Sequence, residues 1–169
     1  MRPMQIPIRW TWDGQPLRPS AQLHWQLTWT REHLRVQVDA PYQQDPPPAA
    51  PPGSCDGLWE FEVAELFLVG PEQRYLELEL GPHGHYLLLQ LDGVRRRAGP
   101  PLSLDYRAEI QGDRWTGTAL VPLACLPNPI VAYNTFAIHG RPRVYLAHHP
   151  VGGEHPDFHR IDNFVRWPK

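Results

Sequence analysis

The chain has 169 residues, a formal net charge of −2 and two cysteines, enough for one domain whose core needs no disulfide or metal to hold it. So weak a charge gives no electrostatic reason for nucleic acid or an anionic membrane as a partner. No apolar run approaches the roughly 20 residues of a membrane span. The stretch from Met1 to Trp12 lacks the apolar centre of a secretion signal, so Cys55 and Cys125 are expected as reduced, buried thiols of a soluble, cytoplasmic protein.

Hydrophobic residues recur with a period of two. Leu23, Trp25, Leu27 and Trp29 alternate with polar residues, the segment 30–33 reads as a turn, and Leu34, Val36 and Val38 alternate again, which predicts a hairpin with one buried face. Residues 41–57 hold Pro46-Pro47-Pro48 and Pro51-Pro52 and are expected as a long stiff loop within one domain. Next, Phe61, Val63, Phe67 and Val69 share a face with Glu65, while Ala64, Leu66 and Leu68 make the other face apolar as well. That pattern predicts a central strand covered on both sides, with Glu65 largely desolvated.

Tyr75 to Leu80 alternates cleanly, with Tyr75, Glu77 and Glu79 opposite Leu76, Leu78 and Leu80; Gly81-Pro82-His83-Gly84 breaks it and Tyr86 to Leu91 resumes. A further hairpin is predicted from Leu104 to Ile110 and from Trp115 to Val121. The only helical candidate is one turn between Pro122 and Pro127. Short strands at regular spacing without helices predict a single all-β domain over 1–169, an antiparallel β-sandwich of jelly-roll type.

Glu65 carries the most chemical information. If its strand pairs with the next, Glu65 lies beside Glu77 or Glu79, and adjacent carboxylates need a cation, a donor or a shared proton between them. Glu79, His139 and Arg141 are the expected neighbours. His83 and His85 flank Gly84, and two imidazoles on one strand face form a workable metal pair. No HExxH or CxxC spacing supports a metal, so no cofactor is expected and a metal ion stays an alternative. No GxSxG is present, neither cysteine sits in a reactive context, and Arg95-Arg96-Arg97 reads as a solvated loop. Of seven tryptophans, Trp25 and Trp29 are expected in the core. Trp59 and Tyr42 border the proline-rich loop, where an exposed ring can stack on a sugar.

Two stretches, Glu65 to Leu68 and Tyr75 to Gly84, resemble the paired strands of family-nine carbohydrate-binding modules and related DOMON-like domains. Here Gly81 stands where that pattern has an asparagine. A closer resemblance, running from Thr11-Trp12-Asp13-Gly14 through Ala40-Pro41-Tyr42, Asp45-Pro46-Pro47, Leu58-Trp59-Glu60, Pro82-His83-Gly84 and Phe136-Ala137-Ile138-His139-Gly140 to Pro156-Asp157-Phe158-His159, is to the uncharacterised UPF0462 family. The resemblance implies a DOMON-like sandwich and carries no function with it.

The expectation is a non-catalytic domain that binds a small polyhydroxylated molecule such as a carbohydrate, through Tyr42, Trp59, Glu65, Glu77, Glu79, His83, His85, His139 and Arg141. A small enzyme using the same Glu and His groups for acid–base chemistry, with or without a metal, is one alternative. A protein-interaction module docking through loop 41–57 is another.

Overall fold

A computed structural model describes residues 2–168 as two packed β-sheets, with no α-helix among them. The strands are β1 (Met4–Ile8), β2 (Trp10–Thr11), β3 (Leu23–Trp29), β4 (His33–Pro41), β5 (Gly53–Ser54), β6 (Val63–Val69), β7 (Arg74–Leu80), β8 (His85–Asp92), β9 (Asp105–Gln111), β10 (Arg114–Pro122), β11 (Ala132–His139), β12 (Val144–Ala147) and β13 (Val165–Arg166). One sheet has the order β1-β3-β4-β10-β9. The larger runs β2-β12-β11-β6-β7-β8-β5, with β13 pairing the start of β11. All pairings are antiparallel except the short β5–β8 contact.

The expected hairpins β3–β4, β7–β8 and β9–β10 all form. The helical turn after Pro122 is the single 3-10 turn Leu123–Cys125. The β7–β8 turn needs Gly84, whose φ of +87° is a left-handed conformation that favours glycine. In β10, a side chain at Gly117 would collide with the Tyr106 hydroxyl, 2.7 Å from where its Cβ would stand. That space lets Tyr106 reach across the sandwich and donate to the Gly81 carbonyl at 2.7 Å.

Apolar side chains from both sheets fill the space between them. Trp25, Leu27, Leu34, Val36 and Trp115 come from the five-stranded sheet, and Leu66, Leu68, Leu76 and Leu78 from the eight-stranded one. Trp25 is fully buried as expected, whereas Trp29 is only partly buried and meets Trp167 edge-on.

A second apolar cluster lies on the outer face of the eight-stranded sheet, where Val63, Phe67, Tyr75, Leu87, Leu89 and Phe136 are roofed by Phe158, Ile161 and Phe164 from the irregular segment 148–164. Phe158 stacks flat on Phe136, with centroids 4.0 Å apart. β6 is therefore buried on both sides over its whole length, as its sequence pattern predicts. The two cysteines are free but only half-buried, contrary to the expectation of buried thiols: Cys55 follows the short strand β5 and Cys125 ends the 3-10 turn at the edge of the inter-sheet core.

Loop 41–57 is long but fastened. Gly53 and Cys55 donate to the Gly84 and Tyr86 carbonyls, and the buried Glu62 carboxylate accepts from the Gln43 and Asp45 amides at 2.9 and 3.3 Å.

Candidate functional site

On the outer face, period-two alternation puts Glu65 of β6 and Glu77 and Glu79 of β7 on one side, with Glu65 and Glu79 directly opposed across the ladder. The three are 3%, 5% and 0% exposed. Glu65 and Glu77 form part of the floor of a recess of about 290 Å³, whose walls include Trp59, Tyr145 and Phe158 and whose rim carries Arg95, Arg97 and His159. Glu79 lies beside them, fully buried.

These carboxyls lack the partners that buried charges ordinarily have. Neither oxygen of Glu79 meets a permanent donor, and only a proton shared with the Glu77 carboxyl can satisfy it. The guanidinium groups nearby are committed elsewhere. Arg97 makes a two-pronged pair with Asp56 at 2.7 Å, and Arg95 pairs with Asp157 at 2.7 Å. Arg143 donates to the Trp59 and Phe61 carbonyls at 2.8 Å.

Burial, reinforced by the Glu77 carboxyl, raises Glu65 well above the usual carboxylate range. Burial, with Glu65 and Glu77 as facing charges, does the same to Glu79. Burial pushes Glu77 up to about 7. With no cation bound between them, these carboxyls hold protons to higher pH than free carboxyls do, and a protonated carboxyl can donate to its neighbour.

A relay of hydrogen bonds orders the rim. The Arg95 amide donates to the Tyr75 hydroxyl at 2.9 Å, and that hydroxyl lies 2.7 Å from His159 Nδ1. Because Tyr75 already accepts one bond, its own proton goes to Nδ1, which leaves the His159 hydrogen on Nε2, 3.7 Å from Glu77 Oε1. Burial and the Arg95 charge lower His159 to about 4, so it is a neutral donor at pH 7. Arg95 sits at φ 59°, a strained conformation for a residue other than glycine. Its amide and guanidinium bonds hold it there.

The structure gathers four of the expected site residues here: Trp59, Glu65, Glu77 and Glu79. The other five lie elsewhere. His85 is on the same sheet face, but the proline-rich loop covers it and its Nε2 meets the Ala50 carbonyl at 2.7 Å. His83 and Tyr42 meet each other at 3.3 Å at the end of the sheet. His139 has the opposite parity to Ile138 on β11 and lies with Ala137 and Trp115 against the inter-sheet side. Arg141 is exposed in the turn before β12.

The expected pairing of Glu65 with His139 and Arg141 is thus corrected, because one step along a strand reverses the face. Arg143 is the basic residue of that turn whose charge reaches Glu65. Among the described residues, no group of three or more His, Cys, Asp or Glu converges as metal ligands would.

Sequence reasoning missed Arg95, His159 and Tyr145. His159 follows no periodic pattern and arrives from an irregular segment far along the chain. Arg95 does carry a signal, since the turn at Asp92-Gly93 ends β8 and returns the chain over the face that bears Glu77.

No protein-family model matches the chain. Relatives do, among them the UPF0462 protein C4orf33 homologs of Danio rerio and Mus musculus, each 38% identical over 95% of this chain and 87% and 89% of their own, and the Homo sapiens UPF0462 protein C4orf33, 35% identical over 95% of this chain and 86% of its own. The chain belongs to the UPF0462 family. Two segments that carry the resemblance, Leu58-Trp59-Glu60 and Pro156-Asp157-Phe158-His159, meet at the mouth of the recess in this UPF0462 protein. Among solved structures, a presumed carbohydrate-binding protein from Bacteroides uniformis superposes with a TM-score of 0.74 over 97% of this chain and 85% of its own, at 15% identity. That likeness establishes a shared fold.

Proposed function

We propose that this UPF0462 protein binds a small polyhydroxylated molecule, with carbohydrate as the favoured class, in the recess floored by Glu65 and Glu77, and that it does not transform it. The observation carrying the reading is the recess itself: about 290 Å³, at the small end of ligand sites of about 300–1,000 Å³. Its floor offers carboxyl oxygens to hydroxyl groups, and Trp59, 40% exposed, offers a ring face for stacking. The carbohydrate-binding description of the Bacteroides uniformis protein that shares this fold lends support at the level of analogy. Two free thiols suit a reducing, cytoplasmic setting, and the weak net charge suits a partner that is neither nucleic acid nor membrane.

The test is calorimetry of neutral hexoses and disaccharides with the whole chain and with Trp59→Ala. Binding that Trp59→Ala weakens supports the reading. Failure of every neutral and amino sugar to bind overturns it.

One observation favours a second reading. Glu77, raised to about 7 beside the more strongly raised Glu65, forms a proton acceptor and a proton donor in one recess, the arrangement acid–base catalysis requires. Turnover of a bound sugar, abolished by Glu77→Gln while the fold persists, would establish an enzyme instead.

A further inference from the structure

We propose that the recess prefers a polyhydroxylated amine, an amino sugar or amino alditol, over its neutral counterpart, with the ligand's ammonium group set against Glu65 and Glu77. This rests on the reading of the recess as a small-molecule site, and it names the chemistry that site selects.

Three acidic side chains face one another beneath an accessible recess. Glu65, 97% buried and part of the floor, has no hydrogen bond among the described residues; Glu77 and Glu79 stand beside it, and the Arg143 and Arg95 charges that reach it are engaged elsewhere. Every charged or titratable group that faces the floor has another partner or carries no positive charge there. Arg97 is held by Asp56, Arg95 by Asp157, and Arg143 by two backbone carbonyls. Burial and the Arg95 charge keep His159 neutral, and burial raises the Tyr75 phenol. The floor is therefore rich in acceptors and lacks a cation.

An ammonium group supplies three N–H donors and a positive charge in one compact head. The ring walls Trp59 and Tyr145 add the negative faces that cations favour. A divalent metal fits less well, because no group of three or more acidic or histidine side chains among the described residues converges on a point. A polyamine also fits less well. Arg95 and Arg97 at the rim repel a second positive charge, whereas hydroxyl groups are tolerated there.

The test uses the whole chain and calorimetry at pH 7. Probes are 1-amino-1-deoxysorbitol against sorbitol, and glucosamine against glucose and N-acetylglucosamine, with spermidine as a polyamine control. The amines should bind roughly tenfold or more tighter than their neutral partners, as a charge-assisted contact predicts. Glu65→Gln and Glu77→Gln should each bring that ratio close to unity. Both variants keep the side-chain shape and replace a buried acid by a neutral amide, so folding should survive, and a thermal melt checks it. If neutral compounds bind, lose affinity in Trp59→Ala, and match the amines in strength, the preference is wrong while the binding site stands. An amine preference that persists in both Gln variants, or spermidine binding as tightly as the amino sugars, also overturns it.

Discussion

The two faces of the eight-stranded sheet are built from the same residues of chain, alternating outward and inward along β6 and β7. Facing the second sheet are Ala64, Leu66, Leu68, Leu76, Leu78 and Leu80, all buried and none polar. Facing outward, equally buried, are Val63, Phe67 and Tyr75, interrupted by Glu65, Glu77 and Glu79. A face selected for stability alone would not keep three carboxyls where burial lifts their proton affinity and no cation meets them. The inner face maximises packing. The outer face gives up stability for a recess with polar groups on its floor, which is what the proposed binding role would use.

Substitution on the two faces should therefore have opposite consequences. Leu78→Ala, on the inner face, opens a hole between Leu66 and the opposing sheet. It should lower stability by about 2–5 kcal/mol, read as a fall in denaturant midpoint at unchanged slope. A loss under about 1 kcal/mol would show that the inner face is not closely packed.

The outer face should make stability depend on pH in a way the inner face cannot. Glu77 has its proton affinity raised from 4.5 to about 7 in the folded chain. Between these values the folded state holds a proton that the unfolded state has lost, so stability falls as pH rises through that window. At about 1.4 kcal/mol per pKa unit the loss is on the order of 3 kcal/mol. His159 acts in the other sense: lowered from 6.5 to about 4, it leaves the folded state neutral where the unfolded state is protonated, and stability is lost as pH falls from 6.5 towards 4. Chemical denaturation across pH 4–8 should show the alkaline loss reduced in Glu77→Gln and the acid loss reduced in His159→Gln. An unchanged profile in both variants would mean that neither group is buried as described.

How much of this was legible beforehand follows from periodicity. The alternation around Glu65 and along Tyr75 to Leu80 is a local property, and it placed both strands and their faces and set Glu65 beside Glu77 or Glu79; the register that opposes Glu65 to Glu79 comes from the structure. Trp59 was singled out because it borders a proline-rich loop, and it lines the recess. His139 and Arg141 were misplaced because the turn after β11 offers no period to count, and a single step decides the face. His83 and His85 look like a metal pair in sequence. In space a hydroxyl and a loop carbonyl occupy them separately. The roof that makes a recess out of an open sheet comes from segment 148–164, whose position depends on stacking such as Phe158 on Phe136, a contact between residues 22 apart in sequence that no local pattern encodes.

Glu79 tests the comparison from the other side. Fully buried and with no permanent donor beyond a proton shared with Glu77, it lies between Glu65 and Leu87 on neighbouring strands. Glu79→Leu keeps similar bulk and removes the orphaned group, so it should stabilise the domain by about 0.5–2 kcal/mol. A destabilised Glu79→Leu would show that this carboxyl has a structural partner after all.

The smallest expected change in stability makes the sharpest test of the site. Trp59 and Trp10 are each 40% exposed, so burial alone cannot separate them. Trp10 lies on the short edge strand β2, paired with Ala147, and takes no part in the recess. Trp59 forms part of the recess wall, and its backbone is held independently of the ring, since Arg143 donates to its carbonyl at 2.8 Å. Replacing either tryptophan by alanine should shift stability by only about 0.5 kcal/mol, roughly 1–2 °C in a domain of this size. Affinity should part them. Trp59→Ala removes a stacking face worth about 0.5–1.5 kcal/mol, a loss of up to about tenfold in sugar or amino-sugar affinity, whereas Trp10→Ala should leave affinity unchanged. Equal losses in the two variants would mean that the ligand sits outside the recess, and the contrast between the two faces would then concern stability alone.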